Sequence, residues 1–251
     1  QGFLMYNEFA PTADTLFLLV LSILTLESVH SIRFLYQHFL SGITTKSLNT
    51  FYHACSYAKV DYSHFMNITA KVALRMIPDS LATQPIFLCV DDTMVAKAGT
   101  RFENVSKLFD HAAHNGSNYL NGHCFVSIML CIPVWKNDRV SYLSLPLGYR
   151  MWQKKESKLE LAASMIRQVM PEFQEKKQVI ILCDSWYTKR NLVSIVDEYL
   201  NLDLIGNARI DSVMYAPAHT GRRGRPAKHG KRLSVETDFA FSNEKIGRAH
   251  V

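Results

Sequence analysis

Two apolar runs of the sequence each end at an aspartate. Residues 86–90 precede Asp91 and Asp92, and residues 179–183 precede Asp184. Short runs rich in β-branched residues predict buried strands, and ligands bind beyond the carboxyl ends of strands in open α/β sheets. Two carboxylates brought together there need a positive partner, and a divalent metal ion is the simplest one. The alternative is that each aspartate only begins a turn or caps a helix.

The pattern after the first run predicts a mixed α/β sheet. Strand patterns lie at 122–134, 140–147 and 202–206, and helical patterns lie at 157–169 and 192–200. The first helix begins with a capping-box sequence, Ser-Lys-Leu-Glu. The order is three strands, helix, strand, helix, strand. The first and fourth of these strands can therefore lie parallel and adjacent, with helices packed on the sheet.

The N-terminal part of the chain has helical patterns instead. They cover residues 12–40, 47–57 and 61–76, and we expect a small all-α domain at 1–80 followed by the sheet domain at 81–245. Basic residues of these helices either contact DNA phosphate or lie on a solvated face. They are Lys46, Lys59, Lys71 and Arg75.

Composition narrows the class of protein. With 48% apolar and 20% charged residues, the chain has the make-up of a globular protein, and its net charge of +6 favours a polyanionic partner. The five cysteines are odd in number and lie mostly in apolar runs, which predicts reduced thiols rather than a disulfide framework or a zinc site. The apolar run at 16–26 is too short to cross a membrane. We therefore expect a cytoplasmic protein.

A basic segment at about 211–240 contains glycines and a proline and almost nothing apolar, so it predicts an exposed loop. We favour neutralisation of DNA phosphates by this loop; the alternatives are insertion of Gly224-Arg-Pro226 into an A·T minor groove and a charged loop without a partner. The candidate DNA-binding residues are Arg222, Arg223, Arg225, Lys228, Lys231 and Arg232.

Several sequence motifs between residues 85 and 233 resemble those of the DDE transposases of bacterial insertion sequences. The motifs are Val90-Asp-Asp-Thr93, the stretch 107–123, Ser157-Lys-Leu-Glu-Leu-Ala-Ala163, Leu182-Cys-Asp-Ser-Trp-Tyr187 and Gly224-Arg-Pro226. The resemblance implies a ribonuclease H-like mixed five-stranded sheet in which aspartates on the first and fourth strands hold two Mg²⁺ (or Mn²⁺) ions. It makes Asp92, the aspartate before threonine, and Asp184 the catalytic metal ligands.

The resemblance also sets expectations around these two residues. The third ligand of the family is a glutamate on a helix beyond the basic insertion, and neither Glu236 nor Glu244 has that setting. Residues 246–251 resemble a translated sequencing adapter, so we expect a truncated chain that lacks this final catalytic helix and is inactive by itself. Side chains expected to surround the ligands are Asp91, Thr93, Trp186 and Tyr187. Trp186 and Tyr187 either stack on a nucleotide or pack at the start of the next helix.

The function implied for the intact protein is transposition. A DDE transposase hydrolyses phosphodiester bonds at transposon ends and joins the freed 3′-hydroxyls to target DNA, with two protomers pairing the two ends. One alternative is a catalytically inactive transposase remnant that binds DNA without cutting it. Another is a small-molecule α/β enzyme, against which the lack of a glycine-rich loop after the first strand counts. Zinc binding by His111, His114 and His123 is a further alternative, but no cysteine pair follows them.

Overall fold

The computed structural model describes residues 10–28, 30–58, 61–99, 101–109, 118–173, 177–208, 212–218, 228–234 and 237–238. The chain divides into two compact units, Gln1–Tyr62 and Ser63–Val251. This division falls before the expected boundary at residue 80. The reason is the third predicted helix: its Met66, Ala70 and Ala73 are buried in the core of the second unit.

The first unit is helical, as the pattern predicted. Its elements are α1 (Ala10–Thr25), α2 (Ile32–Leu35), a π-helical turn (Tyr36–Leu40), α3 (Ser41–Ile43) and α4 (Leu48–Tyr57). The predicted stretch 12–40 is interrupted between α1 and α2, where the side chain of Ser31 caps α2 by accepting a hydrogen bond from the backbone N–H of Phe34. Leu19, Leu35, Leu40 and Phe51 form the core of this unit. None of the helices among the described residues is long and apolar enough to cross a membrane.

The second unit is built on a mixed sheet. Its elements are α5 (Tyr62–Arg75), β1 (Ile86–Ala96), β2 (Ser106–Phe109), β3 (Tyr119–Lys136), β4 (Arg139–Met151), α6 (Lys158–Val169), β5 (Val179–Cys183), α7 (Arg190–Val193), β6 (Leu202–Gly206), β7 (Met214–Tyr215) and β8 (Arg232–Leu233). Three 3₁₀ turns, Asp79–Leu81, Met170–Glu172 and Ser194–Glu198, connect them. The predicted second helix at 192–200 is therefore a short α-helix continued by a 3₁₀ turn.

The strand order confirms the predicted ribonuclease H-like sheet. β1 lies between β3 and β5, β4 pairs with the far side of β3, and β6 pairs with β5. β3 is antiparallel to both β1 and β4, whereas β5 and β6 run parallel to β1. The four-residue strand β2, which pairs with β3, was not predicted because only Leu108 in it is buried.

The core lies on one face of this sheet. Alternate residues of β1 and β3 point to that face, where the helix α6 covers them with its apolar side. The predicted capping box fixes the beginning of α6: Ser157 accepts from the backbone N–H of Glu160, and Glu160 accepts from that of Ser157. Helix and sheet therefore meet in a fixed register close to the candidate site.

One predicted boundary is wrong in a way that affects the site. We expected β1 to end at its aspartates, but it continues to Ala96 because β3 pairs with it from Phe87, opposite Cys131, to Ala96, opposite Gly122. The parallel pairing with β5 ends earlier, at Val90 opposite Cys183. Asp92 therefore lies within β1, just beyond the point where β5 leaves the sheet.

Candidate active site

Asp92 is held by side chains from three other parts of the fold. Its Oδ2 accepts hydrogen bonds from Lys158 Nζ at 2.6 Å and from Cys124 Sγ at 3.2 Å, and its Oδ1 accepts one from the Tyr187 hydroxyl at 3.3 Å. The side chain of Asp92 is only 18% exposed and that of Lys158 17% exposed. A carboxylate so far from water requires such partners, because an unpaired buried charge is strongly unfavourable.

The fold brings these groups together for simple reasons. Side chains alternate along a strand, so Asp92 follows Leu88 and Val90 onto the core face of β1, and Cys124 on β3 lies on the same face. Lys158 is the first residue of α6, directly after its cap. Tyr187 follows β5 by four residues and is completely buried.

Two tryptophans flank the ammonium group of Lys158. Its Nζ lies 5.3 Å from the ring centroid of Trp152 and 5.3 Å from that of Trp186, which is within the range of cation–π attraction. Burial acts to lower the pKa of Lys158, but the hydrogen bond and the charge of Asp92 outweigh it, so the pKa of this lysine is raised. Lys158 is therefore a fixed positive charge.

The two other donors to Asp92 are protonated at neutral pH. Burial and the hydrogen bond to Asp92 raise the pKa of the Cys124 thiol to about 11. Burial, followed by the charge of Asp92, also raises the pKa of the Tyr187 hydroxyl. Both groups consequently act as hydrogen-bond donors to Asp92.

Asp184 has a different environment. It is exposed, and its Oδ1 accepts hydrogen bonds from the backbone N–H groups of Trp186 at 3.0 Å and Tyr187 at 3.2 Å. Such bonds from an aspartate to its own following backbone define an Asx turn, which is the local role that the sequence left open for it. Tyr187 contacts both aspartates, through its hydroxyl to Asp92 and through its backbone to Asp184.

The expected neighbours of the two aspartates separate into two groups. Trp186 and Tyr187 lie at the site. The ring of Trp186 also contacts Lys189, whose Nζ lies 4.4 Å from the centroid of the ring. Asp91 and Thr93 alternate with Asp92 and are exposed on the opposite side of the sheet. Asp91 still acts locally, since its Oδ1 accepts a hydrogen bond from the backbone N–H of Asp92 at 2.8 Å.

The aspartates offer the oxygen ligands that Mg²⁺ and Mn²⁺ prefer, so their chemistry fits the expected metal. Within the described ranges, however, no three Asp, Glu, His or Cys side chains form a set that could hold an ion. Glu236, Glu244, His111 and His114 lie outside those ranges. His123 is described, and its Nε2 lies 2.8 Å from the carbonyl oxygen of Glu103.

Half of the predicted DNA-binding residues lie in the described part of the chain. Lys228 is exposed, Lys231 pairs with Asp238 at 3.1 Å, and Arg232 lies in β8 opposite Tyr215. Their neighbours Arg222, Arg223 and Arg225 lie outside the described residues.

Three residues of the site, Lys158, Cys124 and Trp152, are not indicated by the sequence pattern. The capping-box motif that contains Lys158 predicts only a helix start, and the apolar run around Cys124 predicts only a buried thiol. One signal was available: a lysine directly after a helix cap, with tryptophans at positions 152 and 186 near the ends of adjoining elements. The contacts themselves are long-range and have no periodicity in sequence.

Residues 12–245 match the family described as DDE superfamily endonuclease. The chain belongs to the DDE superfamily endonucleases. This family membership agrees with the resemblance of its sequence motifs, and the matched residues include both Asp92 and Asp184.

Three solved structures similar to this DDE endonuclease are transposase complexes. The Drosophila P element transposase strand transfer complex has 10% sequence identity and a TM-score of 0.38, covering 78% of this chain and 41% of its own. The Mos1 transposase paired-end complex with left transposon end has 12% identity and a TM-score of 0.26, covering 78% and 58%. The Mos1 mariner paired-end complex with Mn has 13% identity and a TM-score of 0.26, covering 78% and 59%. This chain thus spans between 41% and 59% of the length of these transposases, and no curated protein sequence matches it.

Proposed function

We propose that this DDE endonuclease is a transposase that cuts DNA at transposon ends and joins them to target DNA, with Asp92 and Asp184 as its metal ligands. The observation that carries the proposal is the position of the two aspartates. They lie where the adjacent parallel strands β1 and β5 part, and Tyr187 contacts both. In family members with this plan, the reaction is metal-dependent phosphodiester hydrolysis followed by strand transfer.

Each residue of the site has a role in this proposal. Asp92 and Asp184 would hold Mg²⁺ or Mn²⁺, which would supply the Lewis-acid chemistry that phosphodiester hydrolysis requires. Tyr187 and Cys124 orient the carboxylate of Asp92 through the hydrogen bonds described above. Lys189 lies exposed beside Trp186 and can contact a DNA phosphate next to the cut.

The basic segment would bind DNA outside the cleavage site. Lys228 and Arg232 are exposed, and together with Arg222, Arg223 and Arg225 they give a concentration of positive charge that suits the phosphate backbone. Substituting those three arginines by alanine should weaken DNA binding for all sequences and reduce its salt dependence. In this proposal the protein acts as a homodimer on the DNA of a bacterial cytoplasm, as an insertion-sequence enzyme.

A second candidate is DNA binding without cleavage. The observation that favours it is that both aspartates already have partners: Asp92 is paired with Lys158, and Asp184 bonds its own turn. A protein whose carboxylates stayed in this arrangement would retain the basic segment but would not cut DNA.

The test adds the intact protein to a supercoiled plasmid that carries the gene with its natural flanking DNA. We expect strand breaks in Mg²⁺ or Mn²⁺ that map to those flanks and leave 3′-hydroxyl ends. The variants Asp92→Asn and Asp184→Asn should abolish them, whereas Asp197→Asn, which changes an exposed carboxylate of the Ser194–Glu198 turn, should not. Retardation of the flanking DNA in a gel without any breaks would favour the second candidate. Cleavage that survives both Asp92→Asn and Asp184→Asn would contradict the proposal.

A further inference from the structure

Lys158 occupies the place beside Asp92 where a cation is required. Its Nζ is 2.6 Å from Asp92 Oδ2, the shortest of the hydrogen bonds that this carboxylate accepts among the described residues. Both side chains are more than four-fifths buried. The ion pair therefore compensates the charge of Asp92 in a setting where water solvates only a small part of the carboxylate.

The position of Lys158 is fixed from several directions. The capping box of Ser157 and Glu160 holds its backbone at the start of α6. The indoles of Trp152 and Trp186 flank its ammonium group, and the Nε1–H of Trp152 donates a hydrogen bond to the carbonyl oxygen of Glu156 at 2.7 Å. A lysine side chain normally retains much rotational freedom, so its confinement here indicates a specific arrangement.

A divalent ion and this ammonium group compete for the same carboxylate. Both are positive, both require a lone pair of Asp92, and their mutual repulsion is stronger in a mostly buried site than in water. We infer that Lys158 is an internal counter-cation of Asp92, which a divalent metal ion must displace from Oδ2 before Asp92 can serve as a ligand. This inference rests on the proposed role of Asp92 in metal binding.

The chain provides matched controls for this lysine. Lys154 lies over the ring of Trp152, with its Nζ 5.8 Å from the centroid, and Lys189 lies over the ring of Trp186. Each shares one indole with Lys158. Among the described residues, the carboxylate of Asp92 accepts hydrogen bonds from Lys158, Cys124 and Tyr187. Lys154 and Lys189 are therefore not part of the ion pair.

The experiment is a titration of the full chain with Mn²⁺, in which electron paramagnetic resonance measures the free ion. We expect Lys158→Met to bind Mn²⁺ about tenfold more tightly than the wild type, because it removes the competing charge and leaves Asp92 without its counter-cation. Lys154→Met should leave the affinity unchanged. In the Asp92→Asn background, Lys158→Met should also have no effect, since the contested carboxylate is then absent.

A purely structural lysine would give the opposite result, because its loss would loosen the site and weaken metal binding. Circular dichroism establishes that Lys158→Met is folded, and Lys158→Gln is the second variant if it is not. Unchanged or weaker Mn²⁺ binding in the folded variant overturns the inference. Failure of the proposed function is distinguishable from this outcome: it would appear as wild-type Mn²⁺ binding that does not depend on Asp92 at all.

Discussion

The two strand ends that carry the candidate ligands stabilise their carboxylates in different ways. At β1, Asp92 is mostly buried and depends on side chains from β3, α6 and the turn after β5. At β5, Asp184 is exposed and depends on the backbone of the next residues. Asp92 is therefore held by tertiary contacts, whereas Asp184 is held by hydrogen bonds within a local turn. Two residues with one proposed role should consequently differ in their contribution to stability.

Substituting each aspartate by asparagine tests this difference most strongly. Asp92→Asn leaves Lys158 charged and mostly buried without its partner, so we expect a loss of about 3 kcal/mol in the free energy of unfolding. Asp184→Asn preserves an Asx turn at an exposed position and should change it by no more than about 0.5 kcal/mol. Urea denaturation of both variants measures the two values. Equal losses in the free energy of unfolding would mean that Asp92 and Asp184 contribute equally to stability, which would contradict this difference.

Removing the hydroxyl of Tyr187 tests the group that contacts both aspartates. Tyr187→Phe deletes a hydrogen bond to a charged acceptor, for which we expect a loss of about 1.5 kcal/mol. Tyr142→Phe is the control, since the Tyr142 hydroxyl donates to the neutral carbonyl oxygen of Pro85 at 3.2 Å. Tyr187→Phe should weaken Mn²⁺ binding and Tyr142→Phe should not. If both variants leave Mn²⁺ binding unchanged, Tyr187 does not orient Asp92.

The cap of α6 should have a smaller effect. Ser157→Ala removes one half of the capping box and should cost about 1 kcal/mol, measured by urea denaturation at neutral pH. The control is Ser194→Ala, which changes an exposed serine at the first position of the Ser194–Glu198 turn, where Val193 is the N-cap residue. A loss no larger than that of the control would show that the capping box contributes little to the start of α6.

The same cap predicts a dependence on pH. The backbone and side-chain hydrogen bonds of Ser157 lower the pKa of Glu160 below its ordinary 4.5. The stability that Glu160 contributes is thus present above pH 4.5 and is lost as pH falls through the lower pKa of the folded state. Ser157→Ala removes the side-chain hydrogen bond but retains the backbone one, so it should reduce, without abolishing, the dependence of stability on pH in that acidic range. An unchanged pH profile would mean that the Ser157 side chain does not contribute to the lowered pKa of Glu160.

The features of the fold that depend on local sequence can be predicted, whereas those that depend on long-range contacts cannot. The strands β5 and β6 and the capping box of α6 were predicted at the observed residues because apolar runs and caps are local signals. The end of β1 was misjudged because its length is set by pairing with β3, which lies some thirty residues further along the chain. The roles of Lys158 and Cys124 were missed for the same reason, since each meets Asp92 only after folding.

The most direct test of the account is Mn²⁺ binding by the wild type, Asp92→Asn, Asp184→Asn and the double variant, followed by electron paramagnetic resonance. If both aspartates hold metal in one site, each single substitution should weaken binding by at least about 100-fold, and the double variant should bind no more weakly than either. If one substitution has no effect, or if the two effects simply add as for separate sites, Asp92 and Asp184 do not form a shared metal site.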